Sequence, residues 1–132
     1  MKHITISDAT LRDGSHAIRH AITEDMITQY CQQADIAGVD IVEVGHGNGL
    51  GASSLQLGLS KVDDRTMLRI ARNALKQAKL GIHIIPGFGN VEYNLKMAID
   101  EGIDVIRVAS HCTEADTTQN HIKYSRKNNK IT

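Results

Sequence analysis

The sequence contains no tryptophan, one phenylalanine and three tyrosines. So few rings offer little for bases to stack on. Acidic and basic side chains number 15 each, so no basic field exists to hold a phosphate backbone. A nucleic-acid partner is not expected. The two cysteines, Cys31 and Cys112, make neither a disulfide framework nor a Cys-x-x-Cys pair. No apolar run approaches the roughly 18 residues that a membrane span needs. No long apolar stretch follows Met1, as it would in a secretory leader. The expectation is a cytoplasmic globular chain without a membrane partner. Its 132 residues leave room for one domain, and 41% of them are hydrophobic, which permits a buried core.

What is present is an alternation of strand and helix patterns, four times over. His3–Ser7 alternates and is β-branched, which predicts a strand. Thr23 offers a helix N-cap, Met26, Ile27, Tyr30, Cys31 and Ala34 recur at helical spacing, and Gly38 stops the helix. Asp40–Val44 is the second expected strand. Asp63 or Asp64 caps a helix expected through Ala78. Leu80–Ile85 is the third strand, ended by Pro86 and Gly87, the former being the single proline. Asn90 caps a helix through Glu101, closed by Gly102. Asp104–Ala109 is the fourth strand, and a last helix opens at Asp116 or Thr117 and ends near Lys127. The polar stretch 125–132 is expected to fray.

Such alternation predicts right-handed βαβ units and a parallel sheet. Four βα units, at about 33 residues each, are half the complement of a (β/α)8 barrel of about 250 residues. The expected fold is therefore α/β, with residues 1–132 forming the N-terminal half of such a barrel. A flavodoxin-like open sheet is the alternative, although it normally has five strands. The loops before the strands are short, whereas those after them are long and polar: 8–21, 45–62, 86–90 and 110–116. They hold Asp8, Arg12, Asp13, His16, Arg19, His20, His46, His111, Glu114 and Asp116. The carboxyl end of the sheet is where both architectures place active sites.

The densest of these loops reads Ser7-Asp8-Ala9-Thr10-Leu11-Arg12-Asp13-Gly14-Ser15-His16. Arg12 can fork onto a carboxylate or an enolate. Asp13 can offer oxygen to Mg²⁺ or Mn²⁺. Adjacent residues can point to different sides of a loop, one at a substrate anion and one at a cation. His16 can act as a base near neutral pH. Taken alone, Arg-Asp-Gly-Ser is a turn with a surface ion pair.

The flanking residues change that reading. Asp8-Ala9-Thr10-Leu11-Arg12-Asp13-Gly14, and the longer run from Ile6 to His20, resemble the opening motif of the metal-dependent pyruvate aldolase/lyase superfamily, specifically the 4-hydroxy-2-oxovalerate aldolases. The resemblance continues through Val42–Leu50, Gly51–Ser54, Leu57-Gly58, Ile85–Gly89, Arg107–Asp116 and His121-Ile122, and so covers nearly the whole chain. It implies a TIM barrel and a carbon–carbon lyase of aromatic-hydrocarbon catabolism. Such an enzyme cleaves a 4-hydroxy-2-oxo acid to pyruvate and an aldehyde. It implies that Asp13 is a ligand of a divalent ion, Mn²⁺ or another such as Mg²⁺, and helps bind substrate. Arg12 would bind the substrate and steady the enolate, and His16 would take the 4-hydroxyl proton. Glu43, His46, His111 and Glu114 are expected as possible supporting residues, with His46 bonded to backbone or solvent. Arg19 and His20 read as solvent-facing charges, His83 as a barrel or helix-contact residue and Cys112 as a small packed one.

The family pattern also breaks. The family completes its metal site with a His-x-His pair, and this sequence has none. The remaining barrel units are expected to be missing, with the region that docks the family's acylating aldehyde dehydrogenase partner. The outer edges of the first and fourth strands are expected to be exposed and open to self-association. An inactive truncated remnant or assembly module of the same fold is the alternative function.

Overall fold

The computed structural model describes residues 4–132, in which four strands form one parallel sheet in the order β1-β2-β3-β4. The strands are β1 (Ser7–Asp8), β2 (Ile41–Glu43), β3 (Lys79–Ile84) and β4 (Val105–Val108). Helices α1 (Glu24–Ile36), α2 (Asp64–Ala74), α3 (Lys96–Asp100) and α4 (Gln119–Lys127) follow them in turn. Unbroken sequential order is that of a barrel wall. A flavodoxin-like sheet would reverse direction after its first pair.

Strand alternation divides the sheet into two faces. Val42, Leu80, Ile82, Ile84 and Ile106 point one way and are at most 1% exposed. They meet Ile27 and Cys31 of α1, Leu68 and Ala71 of α2, and Leu95 and Ala98 around α3 in one core. Each fully buried Leu or Ile contributes about 1.5–3 kcal/mol relative to exposure. On the opposite, concave face lie Ile41, Glu43, Gly81, His83, Val105 and Arg107. A Cβ at Gly81 would come within 2.9 Å of Ile41 Cγ2, so the missing side chain lets Ile41 lean across β3.

The helix starts follow the sequence chemistry. The side chains of Thr23, Asp63 and Asn90 accept from the backbone N–H groups of Met26, Thr66 and Tyr93. Several boundaries differ from expectation. β1 is shorter than the predicted 3–7 strand. His3 lies outside the described residues, and Ile4 and Ile6 are exposed. The reason is local: β2 begins at Ile41, so Ile6 N–H instead reaches the Asp40 carboxylate at 2.8 Å. α2 ends at Ala74, not Ala78. The N–H groups of Lys76, Gln77 and Ala78 all donate to Asp35 Oδ1, at 3.1, 2.8 and 2.7 Å, which turns the chain out of the helix and into β3. The third helix opens with a π-helical turn, Val91–Leu95, and the fourth is preceded by a 3-10 stretch, Cys112–Thr118.

The end of the chain is not frayed. Ser125 is fully buried, and its hydroxyl donates to the His121 carbonyl at 2.7 Å. Ile131 pairs in parallel with Val105, its carbonyl accepting from Ile106 N–H at 2.8 Å. The outer edge of β4 is therefore partly covered, where an open edge was expected. No helix among the described residues is long and apolar enough to cross a membrane.

Asp35 holds the α2–β3 connection with one carboxylate oxygen, and these bonds, from Ala78 first, keep its carboxyl below the usual range. Replacing Asp35 by Ala should cost about 3 kcal/mol, because three backbone donors lose a charged acceptor. The midpoint of urea unfolding measures this.

Candidate active site

The loop after β1 turns tightly because one acceptor gathers three donors. The Ala9 carbonyl takes the N–H groups of Arg12, Asp13 and Gly14 at 3.0, 2.8 and 3.3 Å. A 3-10 segment, Asp13–Ile18, follows and ends on Arg19 and His20, both left-handed with φ of 51° and 59°. Such φ values are uncommon for residues other than glycine, so this corner is held by its contacts rather than by local preference.

Arg12 is buried, with a side chain 9% exposed, and its donors are divided among named acceptors. Nε donates to Glu43 Oε2 at 2.9 Å. Nη1 donates to Asp13 Oδ1 at 2.9 Å and to the Gly47 carbonyl at 3.1 Å. Nη2 makes no hydrogen bond among the described residues, and it is not among the buried polar atoms sealed without a partner. Arg12 and Asp13 therefore face each other rather than diverging to the two sides of the loop. Adjacency allows it, because Asp13 is 68% exposed at its side chain and swings back onto the guanidinium.

Glu43 is the hinge of the charge network. Its side chain is 3% exposed and also accepts from Arg107, Nε to Oε1 at 2.6 Å and Nη2 to Oε2 at 2.7 Å. Burial pushes its carboxyl up, but the hydrogen bonds and charges of Arg107 and Arg12 outweigh it and hold the group below its ordinary value. His83, beside Arg107 in register, is 8% exposed and its Nδ1 has no partner among the described residues. Burial, then the charges of Arg107 and Arg12, push it down to about 4, so it stays neutral.

The second cluster is histidine. His20 and His46 stack with centroids 3.7 Å apart, and His16 meets His20 edge-on at 5.0 Å. His46 is fully buried, bonded to the Gly58 carbonyl and the Asn48 N–H. His20, expected at the surface, is 7% exposed. The β2–α2 loop folds over it, and Lys61 N–H donates to its carbonyl. His16 itself is exposed.

His111 and Glu114 lie apart from this network. Both are exposed, and Glu114 N–H donates to the His111 carbonyl; they border a shallow cavity with Pro86 and Thr117. Cys112 is exposed rather than packed, because the 3-10 segment it opens runs over the surface. Arg107 and Gly47 were not singled out from the sequence. An arginine inside the apolar run Val105–Val108, two strands away from Glu43, was the available signal for the first. Among the described residues no three His, Cys, Asp or Glu converge so as to hold a metal ion. Asp13 alone, with one oxygen committed to Arg12, does not fit a resident divalent ion.

Because Glu43 titrates low when folded, its stabilisation is complete above the ordinary glutamate value of about 4.3 and is lost as pH falls through its lower folded value. Glu43→Gln should cost about 3 kcal/mol at pH 7, since it strips the charge partner from buried Arg12. The gap between the two proteins should begin to narrow as pH falls below about 4.3 and close only below the lowered folded value of Glu43, read from urea midpoints across pH.

Comparison with known proteins places this geometry in context. Proteins named 4-hydroxy-2-oxovalerate aldolase share 58% identity (Spirochaeta aurantia), 53% (Burkholderia pseudomallei) and 48% (Pectobacterium atrosepticum), over 93%, 93% and 98% of this chain. The chain spans only 36%, 35% and 38% of the length of those relatives. Among solved structures, a Bacteroides vulgatus N-terminal domain described as that of an aldolase superposes with a TM-score of 0.77 at 20% identity, covering 96% of this chain and 42% of its own. The carboxyl transferase domain of Rhizobium etli pyruvate carboxylase, solved with pyruvate, gives 0.75 at 19%, covering 98% and 24%. At such identities these two speak for the fold, a TIM-barrel-type α/β wall. The model of the HMGL-like family matches residues 3–130, nearly the whole chain, and the protein belongs to that family.

Proposed function

We propose that these 132 residues carry the Arg–Asp–His face of an aldolase that splits a 4-hydroxy-2-oxo acid into pyruvate and an aldehyde. The observation that carries this reading is the state of Arg12. Its Nε and Nη1 are committed to Glu43, Asp13 and Gly47, which locks the guanidinium plane and leaves Nη2 uncommitted. A buried, oriented cation with a spare donor suits an oxygen on which negative charge develops.

The chemistry follows from these groups. His16 takes the proton of the 4-hydroxyl, the C4 oxygen becomes the aldehyde carbonyl as the bond between C3 and C4 breaks, and the electron pair of that bond moves to the 2-oxo oxygen as the enolate, whose C3 then takes up a proton to give pyruvate. Arg12 Nη2 donates to that oxygen. Glu43 and Arg107 keep Arg12 from turning away, and neutral His83 adds no charge beside them. Asp13 is the one matched oxygen donor for the Mn²⁺ or Mg²⁺ that the resemblance implies. Further ligands would have to come from outside these residues, and no step here runs through such an ion. An acylating aldehyde dehydrogenase partner and a place in aromatic-hydrocarbon breakdown belong to the same proposal.

The test uses 4-hydroxy-2-oxopentanoate as substrate, with Mn²⁺ added. The chain alone should release no pyruvate above an Asp13→Ala control. Mixed with the remaining two-thirds of the Spirochaeta aurantia relative, it should release pyruvate. Arg12→Lys, which keeps charge but loses the fork, should then lower kcat about a hundredfold. His16→Ala should cost at least as much. Turnover indifferent to both substitutions would sink the reading.

A further inference from the structure

The reading above uses His16 but leaves two buried imidazoles unexplained. We propose that His20 and His46 form a stacked pair that positions the imidazole of His16 over Gly47. This rests on His16 being the base of the aldolase reading.

Three observations converge. The first is the stack: His20 and His46 lie 3.7 Å apart at 20°, and His16 closes on them at 5.0 and 6.3 Å, edge-on to both. Edge-to-face rings at these separations attract. The second is the floor beneath His16. A Cβ built on Gly47 would fall onto Nε2, Cδ2 and Cε1 of the His16 ring, so the ring fills the space that the glycine leaves. Gly47 is not at positive φ, so space and not backbone freedom is what requires glycine there. The third is that both rings of the pair are fixed by hydrogen bonds. His46 accepts from Asn48 N–H at 3.0 Å, so Nδ1 is bare and Nε2 carries the proton donated to the Gly58 carbonyl at 3.1 Å. His20 Nδ1 faces two donors, the Ser15 hydroxyl at 3.0 Å and Gly47 N–H at 3.5 Å, so it too accepts there. Burial lowers both below the ordinary histidine value, aided by the charges of His46 and His16 at His20 and by that of His16 at His46. His16 is thus the exposed member of the three, resting on two rings whose nitrogens are held by other partners.

The backbone supports the same arrangement. His20 sits at φ 59°, and Gly58 closes over it so tightly that a Cβ there would come within 2.9 Å of His20 Cδ2. A left-handed residue held under a glycine is strain retained for the placement of its side chain.

Two substitutions test this without removing the fold. His20→Asn keeps an acceptor at the Nδ1 position and tolerates left-handed φ, but removes the ring. Gly47→Ala adds one methyl where only the end of the His16 side chain must yield. Both are followed by nitrogen-15 imidazole spectra, by nuclear Overhauser contacts between the rings, and by kcat and KM in the complemented enzyme. The chain itself should show contacts between His16 and His20, and the Nε2-protonated forms of His20 and His46. His20→Asn should lower kcat about two- to tenfold, the worth of one aromatic pair, with KM unchanged. Gly47→Ala should abolish the ring contacts and lower kcat about a hundredfold, as displaced catalytic groups do. Absent ring contacts in the unsubstituted chain, or full kcat in Gly47→Ala, overturns the positioning role. Turnover unaffected by His16→Ala overturns instead the aldolase reading on which it rests, while the ring contacts remain measurable by themselves.

Discussion

A single buried carboxylate organises the concave face of this half-barrel wall. Glu43 stands on β2, takes Arg12 from the loop after β1 with one side, and grips Arg107 of β4 with both oxygens. It thereby ties three of the four strands together above the sheet, across β3, where Gly81 leaves room for the crossing. A buried carboxylate is costly in isolation, and two guanidiniums are what keep it charged. In turn, the guanidinium of Arg12 is oriented because two of its nitrogens are already spoken for. Fold and site are thus one electrostatic object: loosening Glu43 would free the arginine and unlace the strands together.

The histidine cluster has a different logic, built from shape. His16, His20 and His46 come from two loops, and neither loop would adopt its path alone. Left-handed Arg19 and His20 turn the first loop inward, and the second folds back so that Gly58 and Lys61 close over the ring. The charged cluster and the imidazole cluster meet at Gly47. Its carbonyl accepts from Arg12, its N–H faces His20, and its open Cα carries His16.

Much of this was legible in the amino-acid sequence, and the reasons differ by element. Helix caps at Thr23, Asp63 and Asn90 were readable because a cap is a local bond between residues three apart. Alternation made a parallel sheet readable, since βαβ units cross over in one hand, but it left barrel and flavodoxin-like orders both open; four units of about 33 residues pointed to the barrel, and the unbroken order of the strands agrees. The end of α2 was not readable, because Asp35, some forty positions earlier, decides it through backbone N–H groups that have no sequence signature. The burial of His20 and the pairing of Arg107 with Glu43 failed for the same reason: both depend on contacts across the fold. The family string identified Arg12, Asp13 and His16 as a set, but not that Arg12 and Asp13 would join each other.

Ile131 gives the molecule an unequal pair of borders. By donating to the Asp104 carbonyl and accepting from Ile106, it occupies the first rungs of the ladder that β4 would otherwise offer to another chain. At the other border, β1 has two residues and so presents few rungs at all. Long, flat, unpaired borders are the usual templates for amyloid-like strand addition. Here one border is blunted by brevity and the other by the pairing of Ile131 beside β4.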